Sequence, residues 1–134
     1  MNYDLVNSFI GEDWVYATND CFEVVRKVSK AVFGVEIKKI PIPRKSNSRE
    51  NKRLFLEHSK RREWVKVDKP SPGDIALFLL DEVATHIGIF ITPTDIMHCR
   101  GTPRNPGKTS LDRIADLKLA YDIDFYEYSP NNDN

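Results

Sequence analysis

Two apolar runs, Ile75–Leu80 and residues 87–91, follow one another across a short polar link, and they constrain the fold more than any other feature. Both are short and rich in Ile, Leu and Phe. The first follows Pro70-Ser71-Pro72-Gly73-Asp74, a strong turn sequence, so the pair reads as neighbouring antiparallel strands. In the second run, alternation sets His86, Gly88 and Phe90 on one face and Ile87, Ile89 and Ile91 on the other. Thr92-Pro93-Thr94-Asp95 turns the chain back, and Ile96-Met97-His98-Cys99 supplies a third strand with His98 and Cys99 on opposite faces. Trp64, Val65 and Val67 form a short strand upstream, and residues 121–128 alternate as a closing strand. Between them lie a loop over residues 100–108 and a short helix with Leu111, Ile114, Ala115 and Leu117, capped by Ser110.

The first third of the chain is helical in pattern. Tyr3, Leu5, Val6, Phe9 and Ile10 suit a short helix closed by Gly11, and residues 12–19 form a connector. From Cys21 onward, Val24, Val25, Val28, Ala31 and Val32 mark one stripe of a helix, with Asp20 or Asn19 as N-cap and Gly34 as its stop. An extended piece over residues 35–40 is ended by Pro41 and Pro43. Ser46 or Ser48 caps a mostly polar surface helix over residues 49–61, whose His58 is solvated, and residues 130–134 fray. Nothing marks a domain boundary or an internal repeat, so the 134 residues are expected to form one α+β domain.

Composition narrows the function classes. The longest apolar run has six residues, against the roughly 20 that a membrane span needs. Met1-Asn2-Tyr3-Asp4-Leu5 lacks a basic and an apolar signal region, so the chain is expected in the cytoplasm when made. Net charge is zero but uneven: residues 44–66 hold nine Lys/Arg against three Glu, and the end of the chain is acidic. The basic run has no interleaved aromatics, which argues for a solvated helix face over a nucleic-acid partner. Two cysteines and three histidines never form a ligand-spaced cluster, so neither a metal nor another cofactor is expected.

The chemistry-bearing stretch is Asn19-Asp20-Cys21-Phe22. A cysteine where a helix begins meets free backbone amides and the positive end of the helix dipole, which are expected to lower its pKa. A thiol nucleophile also needs a base and a group that orients the base. His86 is placed to be that base, and His98, one strand over, to hold its far ring nitrogen. Spacing leaves the bland alternative standing: a structural cysteine and a partly exposed histidine. Asp74 reads as a turn cap, and Cys99 as a small core residue not disulfide-bonded to Cys21.

Four blocks in order, Asp20-Cys21-Phe22-Glu23-Val24-Val25, Pro72-Gly73-Asp74-Ile75, His86-Ile87-Gly88-Ile89 and Ile96-Met97-His98, resemble the NlpC/P60 cysteine peptidases, in the short versions encoded with phage tail-assembly modules. The likeness spans about residues 8–128, and the twelve-residue step from His86 to His98 matches that family's. It implies a papain-like α+β core, a nucleophile helix packed on an antiparallel sheet of about five strands. It implies Cys21 as nucleophile, His86 as general base and acid, and His98 as the orienting residue. The implied activity is hydrolysis of amide bonds in bacterial cell-wall peptides, with phage tail proteins as further partners. Two departures bear on substrate and oxyanion binding. Phe22 and Glu23 replace the family's Ser-Gly after the cysteine, putting a ring and a carboxylate in the expected pocket. Trp14 stands where the family has a tyrosine assisting the oxyanion, with Tyr16 two residues on.

Overall fold

The computed structural model describes residues 1–16, 18–38, 63–102 and 104–129. The helix expected over residues 49–61 with its His58, positions 39–40 of the extended piece, and the frayed end at residues 130–134 lie outside the described residues. Within them the chain is α+β, with three helices and a six-stranded antiparallel sheet.

Capping chemistry defines the two N-terminal helices. In α1 (Tyr3–Phe9) the Asn2 side chain accepts the Leu5 amide at 3.1 Å, and Gly11 follows with φ +91°. In α2 (Cys21–Phe33) the Asp20 carboxylate accepts the Glu23 amide at 3.0 Å. Its far end closes at Gly34, φ +70°, where the Gly34 and Val35 amides return to Lys30 and Ser29 carbonyls.

The strands are β1 (Trp64–Val67), β2 (Ile75–Leu80), β3 (Val83–Thr92), β4 (Asp95–Cys99), β5 (Thr109–Arg113) and β6 (Asp122–Tyr128), in spatial order β1-β6-β2-β3-β4-β5. The sheet therefore has one strand more than the expected five, and the extra strand is β5. Ser110 lies within β5 and caps no helix; α3 (Ile114–Leu117) starts only after Arg113, which makes no side-chain cap bond. Pairing decides this. Residues 109–113 run from Cys99↔Thr109 to Asp95↔Arg113 and so satisfy the backbone of β4, which outweighs a single local cap.

The two faces of the sheet carry different cores. Against one face, α2 presses Val24, Val25 and Val28 onto Ile87, Ile89, Ile91, Met97 and Cys99. Each fully buried valine stabilises this packing by about 1.5–3 kcal/mol. On the other face Ala76, Phe78, Phe90 and Ile96 are covered by Leu117 and Ile123. His86 belongs to this second face by alternation, and His98 likewise. Gly88, directly opposite His98, leaves room there: a Cβ would lie 2.7 Å from Ile96 Cγ2 and 3.1 Å from His98 Cβ. Gly88→Ala is accordingly expected to destabilise the fold by about 1–3 kcal/mol, read as a lower urea midpoint at unchanged m-value. An unchanged midpoint would show that β4 yields freely at this point.

Candidate active site

The site is assembled from the mouth of α2 and the facing ends of β3, β4 and β5. The connector is tied to the sheet before it reaches Cys21. Gly11 and Trp14 donate to Thr109 and Gly107 carbonyls, and Thr109 donates back to Glu12, each at 2.8 Å. The chain then turns on itself through mutual Val15–Asn19 backbone bonds, and Asn19 Nδ2 donates to the Asp13 carbonyl at 2.7 Å. Asp20 and Cys21 follow. The sulfur lies where the amides of Phe22 and Ile87 point toward it, so Cys21 meets β3 at the residue directly after His86.

Two imidazoles form the other half. His86 Nε2 lies 2.8 Å from His98 Nδ1, and His98 Nε2 lies 2.7 Å from Asp112 Oδ2. The Ser110 hydroxyl donates to the same carboxylate oxygen at 2.7 Å. His98 is completely buried. Phe78 underlies both rings, edge-on to His86 at 4.8 Å and stacked on His98 at 5.3 Å between centroids. The structure thus joins His86 to His98 directly. It does not hydrogen-bond Cys21 to His86: α2 covers one face of the sheet and the imidazoles project from the other, with the Ile87 backbone amide directed at the sulfur.

Burial governs the titrating groups. The Cys21 thiol is pushed up to about 12, first by burial and then by the Asp20 carboxylate, against the opposing amides of Ile87 and Phe22. This reverses the expected lowering. The helix mouth does supply amides, but the sulfur is too closely surrounded by protein for them to hold a thiolate. His86 is held well below the ordinary imidazole range by burial, with His98 and Arg100 adding to it. Burial also lowers His98, more than the bond and charge of Asp112 raise it. Asp112 would be raised by burial, but the hydrogen bonds from Ser110 and His98 leave it below the usual carboxylate value. At neutral pH the assembly is a thiol, two neutral imidazoles and a carboxylate.

The flanking residues each have structural partners. Phe22 is buried in the core, and Glu23 is bound by Arg26 at 2.9 Å. Asp20 serves as the helix cap. Trp14 packs its ring against Gly101 and against the core, while Tyr16 is exposed with its ring 6.4 Å from that of Trp14. Asp74 accepts the Ser71 amide at 2.7 Å as a turn cap, and Cys99 is a free, buried core thiol.

Three participants carry no local sequence signal for the site: Phe78, Ser110, which reads as a helix cap, and Asp112. Phe78 was read as one more strand residue and Asp112 as one of several terminal acids. The available signal was alternation in Thr109-Ser110-Leu111-Asp112, which sets Ser110 and Asp112 on one face once the segment is recognised as a strand. Among the described residues no His/Cys/Asp/Glu cluster is arranged to hold a metal ion, and no helix is long and apolar enough to cross a membrane. Compared with known proteins, the chain matches no family model, and no curated protein matches it.

Proposed function

We propose that the protein is a cysteine peptidase or amidase of NlpC/P60 type, with a papain-like arrangement, acting on the stem peptides of bacterial peptidoglycan. The observation that carries this is the hydrogen-bonded line His86–His98–Asp112, with His98 fully buried at its centre and Asp112 partly exposed at its end. An imidazole fully buried against Phe78 is expensive to desolvate, and a fold needing only stability would fill that space with apolar side chains. In this reading His86 Nδ1 takes the Cys21 proton as the sulfur attacks the amide carbon. The first-turn amide of Cys21 stabilises the oxyanion. The leaving amine departs with the proton from His86, and water, deprotonated by His86, releases the acid and restores the thiol. A Cys21 thiol raised to about 12 stays protonated until substrate is bound, so attack and proton transfer occur together.

A second reading has a specific observation in its favour. The absence of a Cys21–His86 hydrogen bond, with helix and imidazoles on opposite faces, suits a phage-tail assembly component that keeps the scaffold without turnover. One assay separates the two. Purified protein and Cys21→Ala are incubated with intact peptidoglycan and with defined stem peptides, and new amino termini are sought by mass spectrometry. Cleavage by the wild type that Cys21→Ala loses, by at least about 1,000-fold, is the expected result. No cleavage of any wall chemotype by the folded wild type would falsify the peptidase reading, and stable association with tail proteins would then establish the second.

A further inference from the structure

We propose that Asp112, held by Ser110, is a positioning residue that sets the tautomers of both imidazoles and leaves the lone pair of His86 on Nδ1. An ionised carboxylate can only accept hydrogen bonds. Asp112 Oδ2 already receives the Ser110 hydroxyl at 2.7 Å, and His98 Nε2 lies 2.7 Å from the same oxygen. His98, neutral in its buried position, must therefore carry its proton on Nε2, which leaves Nδ1 as an acceptor. His86 Nε2, 2.8 Å from that nitrogen, must donate to it. The unprotonated nitrogen of His86 is then Nδ1, the form a base requires. Without the carboxylate both rings are free to reverse, and reversal puts a proton on His86 Nδ1 and disables it. Strand pairing explains why these groups meet: His98↔Ser110 are direct cross-strand partners, and Asp112 follows two residues on, on the same face.

The catalytic consequence rests on His86 acting as the base in the reading above, but the tautomeric state can be measured without any substrate. The whole protein labelled with 15N-histidine is examined by long-range 1H–15N correlation at neutral pH, with His58→Gln to identify the third ring. Wild type is expected to show Nε2–H on both His86 and His98. Asp112→Ala, still folded, is expected to show mixed tautomers on both, and Ser110→Ala a smaller change in the same direction. Nδ1–H on either ring of the wild type overturns the proposal, even if Asp112→Ala does not fold. A folded Asp112→Ala that keeps the wild-type pattern overturns it as well. Where the wild type cleaves stem peptides, Asp112→Ala should lower kcat by about tenfold or more at unchanged KM. If no cleavage is found, the peptidase reading falls while the spectra still decide the tautomers.

Discussion

His86→Gln is expected to make the fold more resistant to acid and, under the peptidase reading proposed above, to lower kcat for stem-peptide hydrolysis by about 100- to 10,000-fold. Glutamine can still donate to His98 Nδ1, so the packing over Phe78 is kept while the proton acceptor is lost. The acid resistance follows from the direction of the titration. In the unfolded chain histidine binds a proton near pH 6.5, but in the folded protein burial and the neighbouring His98 and Arg100 keep His86 neutral well below that. Below pH 6.5 the unfolded state therefore binds more protons, and stability falls as pH falls. Above that value the full stability is present. Each such histidine contributes a slope of up to about 1.4 kcal/mol per pH unit. His98 is lowered too, so wild type carries two of these slopes and the variant one. Asp112 acts in the same direction in a lower window, beneath the unfolded carboxylate value near 3.9. Urea midpoints from pH 5 to 8 test this directly. An acid slope identical in His86→Gln and wild type would mean that His86 is solvated and free to protonate.

The second large effect is expected at Phe78. Its side chain is fully buried and its ring touches three others, with Tyr121 at 5.4 Å in addition to the two imidazoles. Phe78→Ala removes that platform and should cost about 3–5 kcal/mol, a large fraction of the 5–15 kcal/mol that holds an ordinary domain together. Phe78→Leu keeps most of the buried area and is expected to cost less than about 1.5 kcal/mol while loosening both imidazoles. Equilibrium unfolding of the pair, with the His86 and His98 ring resonances followed in Phe78→Leu, checks both halves. A loss below about 1 kcal/mol for Phe78→Ala would show that the rings are held without it.

What could be read from sequence was whatever local chemistry fixes. The bounds of α2 follow from Asp20 and Gly34, because a carboxylate cap and a left-handed glycine act within a few residues of themselves. Strand β2 and the second half of β3 follow from apolar runs, while residues 83–85, which read as part of the polar link, join β3 by pairing with β2. The partnership of His86 with His98 was legible because alternation and adjacency place them diagonally across two neighbouring strands. What escaped depends on distant parts of the chain. Residues 109–113 hold one strong apolar side chain, Leu111, and become a strand because β4 needs a partner. Asp112 is indistinguishable from Asp116 or Asp122 until that pairing sets it against His98. The Cys21 thiol was misjudged for the same reason: a helix mouth is visible in sequence, but the protein packed around the sulfur is not.

The connector ahead of Cys21 has a consequence for the behaviour of the molecule in concentrated solution. Residues 11–14 pair with the first residue of β5 and the residues just before it, through bonds to Thr109 and Gly107. An open strand at that margin would offer a row of amides and carbonyls to any other extended chain, the usual start of edge-to-edge aggregation. The chain segment that leads to Cys21 thus also covers the start of that edge. Loosening it would open the start of that edge to self-association, which sets a limit on how far this end of the molecule can be remodelled.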